Sequence, residues 1–440
     1  MRNNGALKKL LSVLLASVCV LGLVGCNNVG KGGESGKESE KEEDRVMTNH
    51  AVYDGVVLPD SLWEAPQVIY NAEKDRTEVG INGSIQALYY RSDYKGEESY
   101  AFAYLGIPEG ASATEKVPAV LLLHGGGGTA YWHWVKEWVN RGYVALAMDL
   151  EGHVPLESGH PDKMPQELYT QSEYTAPHNQ NYGDAAKPIE ETWMYYAVST
   201  AIKGNSLLHR LEMVNKNKIG VCGVSWGGVI TGIVSGYDDR FAFAIPIYGS
   251  LNNAESSGNL ASYYKNHPAA KVWDDDEGLS RVETPMLFLQ MNNDVSFFPD
   301  SIMYTAQRCK NVHLSYVHNW LHSHSHAFAR QEPYAFADEI VGKGESLVKI
   351  TGKTGQTGGT LSLEIPKGTS VKYAYIMVTN SDMKTIPTWE FARLPVENGK
   401  ISYEITEELK SFVGGEITYY YVYVEDNLGR VVSTNLIQLT

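Results

Sequence analysis

Lys218-Ile-Gly-Val-Cys-Gly-Val-Ser225-Trp-Gly227-Gly-Val-Ile reads as a buried strand running straight into a helix, with a serine at the joint. The apolar run up to Val224 suits a strand covered on both faces, and Gly227 to Ser235 carries a helical pattern. Glycines two places before and after the serine are what so sharp a turn requires, because a Cβ at either would meet neighbouring backbone. Such a turn lifts Oγ of Ser225 above the sheet, at the positive end of the following helix. The competing expectation is a serine that only caps the helix.

Upstream, the apolar run Val117-Pro-Ala-Val-Leu-Leu-Leu123 leads into His124-Gly125-Gly126-Gly127-Gly128. Glycine amides there can point at a developing oxyanion. Gly126 is the expected donor, with Gly125 or Gly127 as alternatives, and the N–H of Trp226 is the second. His124 is expected to order the loop rather than react. A phosphate cradle is excluded, since the Lys-Ser/Thr of a P-loop is missing. Helical patterns at Tyr131 to Asn140 and Ile189 to Leu208 alternate with strands at Tyr143 to Met148, Phe241 to Ile247, Pro285 to Gln290 and Val312 to Val317. That alternation predicts an α/β fold with a doubly wound, mostly parallel sheet. A hairpin is expected before it, from Ala87 to Tyr90 and Tyr100 to Ile107. After Val341 the pattern changes to alternating, β-branched and aromatic runs at 361–365, 371–378, 400–405, 417–424 and 431–437. These predict a small antiparallel, Ig-like β-sandwich.

A serine nucleophile needs a histidine base held by a carboxylate. Asp294 directly follows the strand Pro285 to Gln290 and is the expected acid; Asp300 competes but reads as a helix N-terminal residue. The histidine belongs to His318-Asn-Trp-Leu-His322-Ser-His324-Ser-His326, where His324 and His326 stand ahead of His322 and His318. The same clustering suits a metal site, but that reading lacks an obvious carboxylate partner and leaves the serine turn unexplained.

Together Gly223-Val-Ser-Trp-Gly-Gly228, the glycine loop, Tyr248-Gly249, Asn293-Asp294 and the His-Ser-His segment followed by Glu332-Pro-Tyr-Ala-Phe-Ala-Asp338 resemble secreted bacterial α/β-hydrolases. The likeness is to acetyl xylan esterases, dienelactone hydrolases and the prolyl oligopeptidase catalytic domain, over about Tyr94 to Asp338. It implies a Ser-His-Asp serine hydrolase that needs no cofactor and no metal. Relatives pair two histidines ahead of an acidic residue, which implies His322 and His324 here, with His324 as base. Ser325-His326-Ala-Phe resembles a dienelactone hydrolase phrase and keeps His326 open. Dienelactone hydrolases proper carry a cysteine nucleophile, so Ser225 implies the esterase or peptidase side. The expected activity is carboxylic ester hydrolysis, with deacetylation of esterified glycans as one form. The alternatives are a prolyl oligopeptidase-type peptidase, against which the short stretch before the hydrolase region argues, and a non-catalytic surface-binding lipoprotein.

Arg2, Lys8 and Lys9 precede a short apolar run and Leu23-Val-Gly-Cys26, which resembles a bacterial lipoprotein signal. Residues 1–25 are thus expected to be a signal peptide, with lipid on Cys26 and an extracytoplasmic chain at the membrane. Residues 26–50 read as a flexible acidic linker, 51–340 as the hydrolase and 341–440 as the sandwich. A net charge of -15 argues against a nucleic-acid partner and leaves a small-molecule or glycan ester as the expected one. Cys222, inside a strand, is expected to be a buried free thiol. The long stretch Leu150 to Pro188 is expected to roof the site, its His153, His160 and His178 lying at the surface. Trp132, Trp134, Trp138, Trp226 and Trp320 offer rings for sugar stacking, although helical spacing favours the core.

Overall fold

The computed structural model describes residues 58–70, 78–80, 83–155, 169–171, 186–258, 260–274 and 277–440, with residues 56, 183 and 184. The expected signal peptide, the whole linker with Cys26, His160 and His178 lie outside them.

Alternation of apolar strands and amphipathic helices builds one large sheet. Its first strands are β1 (Val68–Tyr70), β2 (Glu78–Gly80), β3 (Gly83–Arg91), β4 (Tyr100–Pro108), β5 (Val117–Leu123) and β6 (Val144–Met148). A short antiparallel hairpin of β7 (His153–Pro155) and β8 (Tyr169–Gln171) follows. The sheet then continues with β9 (Val214–Val224), β10 (Phe243–Ile247), β11 (Met286–Met291) and β12 (Val312–Val317). The order is β1-β3-β4-β6-β5-β9-β10-β11-β12, with β2 on β3. From β6 to β12 neighbours run parallel, whereas β1 to β4 pair antiparallel, including the expected hairpin of β3 and β4.

Strand order reverses at β5, which lies between β6 and β9, and a crevice opens at the carboxyl ends of strands at such a point. Register aligns those ends. Leu123 stands opposite Gly223, Val224 opposite Ile247, and Met291 opposite Val317. The loops that follow β5, β9, β10, β11 and β12 therefore emerge along one edge.

The helices cover the sheet with the faces their sequences predict. Trp132–Val139 buries Trp134, Val135, Trp138 and Val139. Thr192 caps the helix Trp193–Arg210, its hydroxyl accepting the Tyr195 N–H at 3.3 Å. Cys222 is a buried free thiol in β9. Among the described residues no helix is long and apolar enough to cross a membrane.

Helix Glu332–Val341 ends at Gly342, which takes the left-handed conformation, and the antiparallel region begins. One sheet holds β13 (Lys349–Gly355), β14 (Gly358–Glu364) and β17 (Lys400–Glu404); the other holds β15 (Val371–Thr379), β16 (Glu390–Arg393), β18 (Tyr419–Asp426), β19 (Val431–Ser433) and β20 (Ile437–Gln438). Inward residues such as Leu361, Ala374, Ile376, Ile401, Tyr420 and Val422 are buried, as a two-sheet core requires. β13, β16 and the helix Glu407–Val413 were not expected from the sequence. Met47–Thr440 forms one compact unit. Across its seam Tyr316 N–H donates to Ser433 Oγ (3.0 Å), and Val431 N–H donates to the buried Glu332 carboxylate (2.8 Å), which also pairs with Arg330.

Candidate active site

Ser225 sits between β9 and the helix Trp226–Tyr237 at φ 56°, ψ -117°. A non-glycine residue in such a conformation costs about 1–3 kcal/mol and persists only where its surroundings impose it. The flanking glycines are that surrounding. A Cβ on Gly223 would lie 2.0 Å from the Gly227 carbonyl oxygen, and one on Gly227 would lie 2.2 Å from that of Leu123. Ser225 N–H donates to Ile247 O at 2.8 Å, tying the turn to the end of β10. Its hydroxyl makes no capping bond to the helix.

After β5, His124 orders the glycine loop as expected. Its Nε2 accepts the Leu150 N–H at 2.8 Å, leaving Nδ1 to donate to Gly125 O at 2.7 Å. Gly125 lies against the nucleophile, since a Cβ there would be 3.0 Å from both Ser225 Cβ and His324 Nε2. Gly125 N–H donates to His324 Nε2 at 2.9 Å, and Gly127 N–H donates to the Glu151 carboxylate at 3.1 Å. Gly126, the expected oxyanion donor, is exposed between them. Trp226 is half-buried and begins the helix after the nucleophile.

Asp294 meets a histidine of the expected segment, but it is His322 and not His324. Asp294 is wholly buried. Its Oδ1 accepts the N–H groups of Ser296 (2.7 Å) and Phe297 (3.1 Å), and its Oδ2 lies 2.8 Å from Nδ1 of His322. The His322 ring is stacked between Tyr248 (4.6 Å between centroids) and Phe297 (6.2 Å). Tyr248 in turn donates its hydroxyl to Leu321 O at 3.0 Å. His324, expected to be Asp294's partner, is engaged by Gly125 instead, and its ring lies 4.8 Å from that of Tyr131. His326 is exposed, with Nδ1 2.7 Å from Ser323 Oγ. Ser323 caps a helix over His324–Ala329, so His324 and His326 belong to that helix while His322 stays in the loop before it. Asp300 faces none of these histidines; it sits in the first turn of helix Pro299–Arg308 and accepts the Ser301 N–H, with burial raising its carboxyl to about 6. Among the described residues, no three His, Cys, Asp or Glu side chains are placed to hold a metal ion.

The dienelactone hydrolase family profile matches residues 102–344, more than half of the chain. The chain belongs to that family. An acetyl xylan esterase from Paenibacillus sp. R4 is 16% identical over 60% of this chain and 94% of its own, with a TM-score of 0.45. Acetyl xylan esterase 1 from Thermoanaerobacterium sp. JW/SL YS485 is 13% identical over 64% of this chain and 93% of its own, at 0.46. The acylaminoacyl peptidase of Pyrococcus horikoshii is 14% identical over 58% of this chain and 41% of its own, at 0.43. No curated protein matches the sequence.

This member of the dienelactone hydrolase family also holds an acidic group that sequence reasoning missed. Asp149 and Glu151 follow β6 at the same sheet edge, both buried. Asp149 Oδ2 accepts the N–H groups of Glu151 (3.0 Å) and His153 (2.8 Å), and Nδ1 of His153 lies 2.9 Å from Gly128 O. His153 was expected at the surface; it packs under the glycine loop, and burial lowers its pKa. Two acids directly after a strand at the switch-point edge were the available signal. Of the tryptophans, Trp134, Trp138 and Trp320 are buried, while Trp132 and Trp226 are half-buried.

Proposed function

We propose that this hydrolase cleaves carboxylic esters with Ser225 as nucleophile, His322 as general base and Asp294 as the acid that orients it. The observation that carries the proposal is the bond between His322 Nδ1 and the buried Asp294, 2.8 Å long, at the edge that also bears the strained Ser225. That bond fixes the tautomer with Nε2 as proton acceptor and stabilises the imidazolium that forms. Oγ of Ser225 attacks the ester carbonyl as its proton passes to Nε2 of His322. The N–H groups of Trp226 and Gly126 receive the oxyanion, each such donor being worth about 10²–10³ in rate. The imidazolium returns its proton to the departing alcohol, and water then releases the acyl group by the same steps. Acetyl esters of glycans are the substrate class to try first, on the likeness its motifs carry. Lipidation of Cys26, holding the enzyme at the outer face of a membrane, belongs to the same proposal.

The test is hydrolysis of p-nitrophenyl acetate by the parent chain and by Ser225→Ala. The expected loss is at least about 10³-fold in kcat. A Ser225→Ala variant as fast as its parent would sink the proposal.

A further inference from the structure

From the sequence the C-terminal sandwich either binds carbohydrate or simply packs against the hydrolase, with packing favoured; its side chains reach the loop that carries Asp294. Asn292, wholly buried, opens the turn Asn292-Asn-Asp294 after β11. Its backbone N–H donates to Val317 O, the last residue of β12, at 3.2 Å. Its carbonyl oxygen accepts the indole N–H of Trp389 at 2.7 Å. Its side-chain amide nitrogen donates to the hydroxyl of Tyr421 at 2.9 Å and stands 3.0 Å from Nδ1 of His318. His318 heads the loop that runs to His322. One buried residue thereby joins the acid loop, the base loop and the sandwich.

We propose that Trp389 and Tyr421 are positioning residues of the active site, holding the Asp294 and His322 loops in register through Asn292. The proposal rests on reading Asp294 and His322 as acid and base. Both side chains are buried, and their rings pack edge to face with centroids 5.1 Å apart. An indole N–H and a phenol so placed need partners, because burying either unpaired is costly. Both meet theirs on a residue two places before Asp294. Adhesion alone does not require this, since the seam already has Ser433 on Tyr316 and Val431 on Glu332. A catalytic pair gains from such bracing, as a 1 Å misplacement can cost about 10²-fold in rate.

Tyr421→Phe and Trp389→Phe each remove one polar atom or group and keep an aromatic ring. Ser433→Ala removes a seam hydrogen bond that does not touch Asn292. In the full chain, with p-nitrophenyl acetate, both aromatic variants should lose roughly ten- to a hundredfold in kcat while KM stays within about twofold. The lower limb of their pH–rate profile should move to lower pH, because a displaced carboxylate stabilises the imidazolium less. Ser433→Ala should keep the parent's kcat and profile. Unchanged kcat and pH limb in folded Tyr421→Phe and Trp389→Phe would overturn the proposal, as would an equal loss in Ser433→Ala. Ser225→Ala, run beside them, separates the two readings: if it stays active, the esterase proposal itself has failed.

Discussion

Glu151 shows at the scale of one residue what the site demands of its surroundings. Burial pushes its carboxyl up from 4.5 to about 7, against the opposing pull of His124. Folded chains therefore hold this proton to higher pH than unfolded ones. The stability this contributes is present below about pH 4.5 and is lost as pH rises through about 7. Glu151→Gln keeps an acceptor for the Gly127 N–H and removes the titration. Measured by urea unfolding, the variant should gain about 2 kcal/mol on its parent between pH 5 and pH 8. A difference between the two proteins that is the same at both pH values would contradict the assignment.

At the scale of elements, the strand–serine–helix joint sets the tightest packing constraint. Gly227→Ala puts a methyl group against the Leu123 and His124 carbonyl oxygens, 2.2 and 2.7 Å away, and should cost about 3 kcal/mol or more. Gly232 lies on the same helix, and a Cβ there meets only Leu251, no closer than 3.6 Å. Gly232→Ala should be neutral or stabilising by up to about 1 kcal/mol. Urea midpoints measure both, and equal effects would contradict the packing argument. This joint was legible in the sequence because its glycines, apolar run and helical period all point to one geometry. Which histidine meets Asp294 was not, because His322 and His324 differ only in which side of a helix start they occupy. Ser323 as a cap was the readable signal; it places His324 inside the helix and leaves His322 in the loop. Strands β13 and β16 escaped for another reason. Their residues are mostly polar or exposed, so neither alternation nor burial marks them.

For the whole molecule, the sandwich and the sheet share one compact unit, and sequence showed only that their patterns differ. Part of what joins them is carried by single polar residues such as Glu332, Asn292 and Ser433, which no periodicity reveals. The segment before this unit is read as an anchor. A chain with Cys26→Ser should then leave the detergent phase on phase separation and take up no labelled palmitate, while its esterase kcat stays that of the parent. Palmitate incorporation equal to the parent's would contradict the anchor.

If His322 activates Ser225, the kcat of His322→Ala and of His324→Ala, measured side by side, must differ. His322→Ala should lose at least about 10³-fold, and His324→Ala should stay within about tenfold of its parent, since its ring serves Gly125 and not Asp294. The reverse order, with His324→Ala inactive and His322→Ala active, would make His324 the base instead.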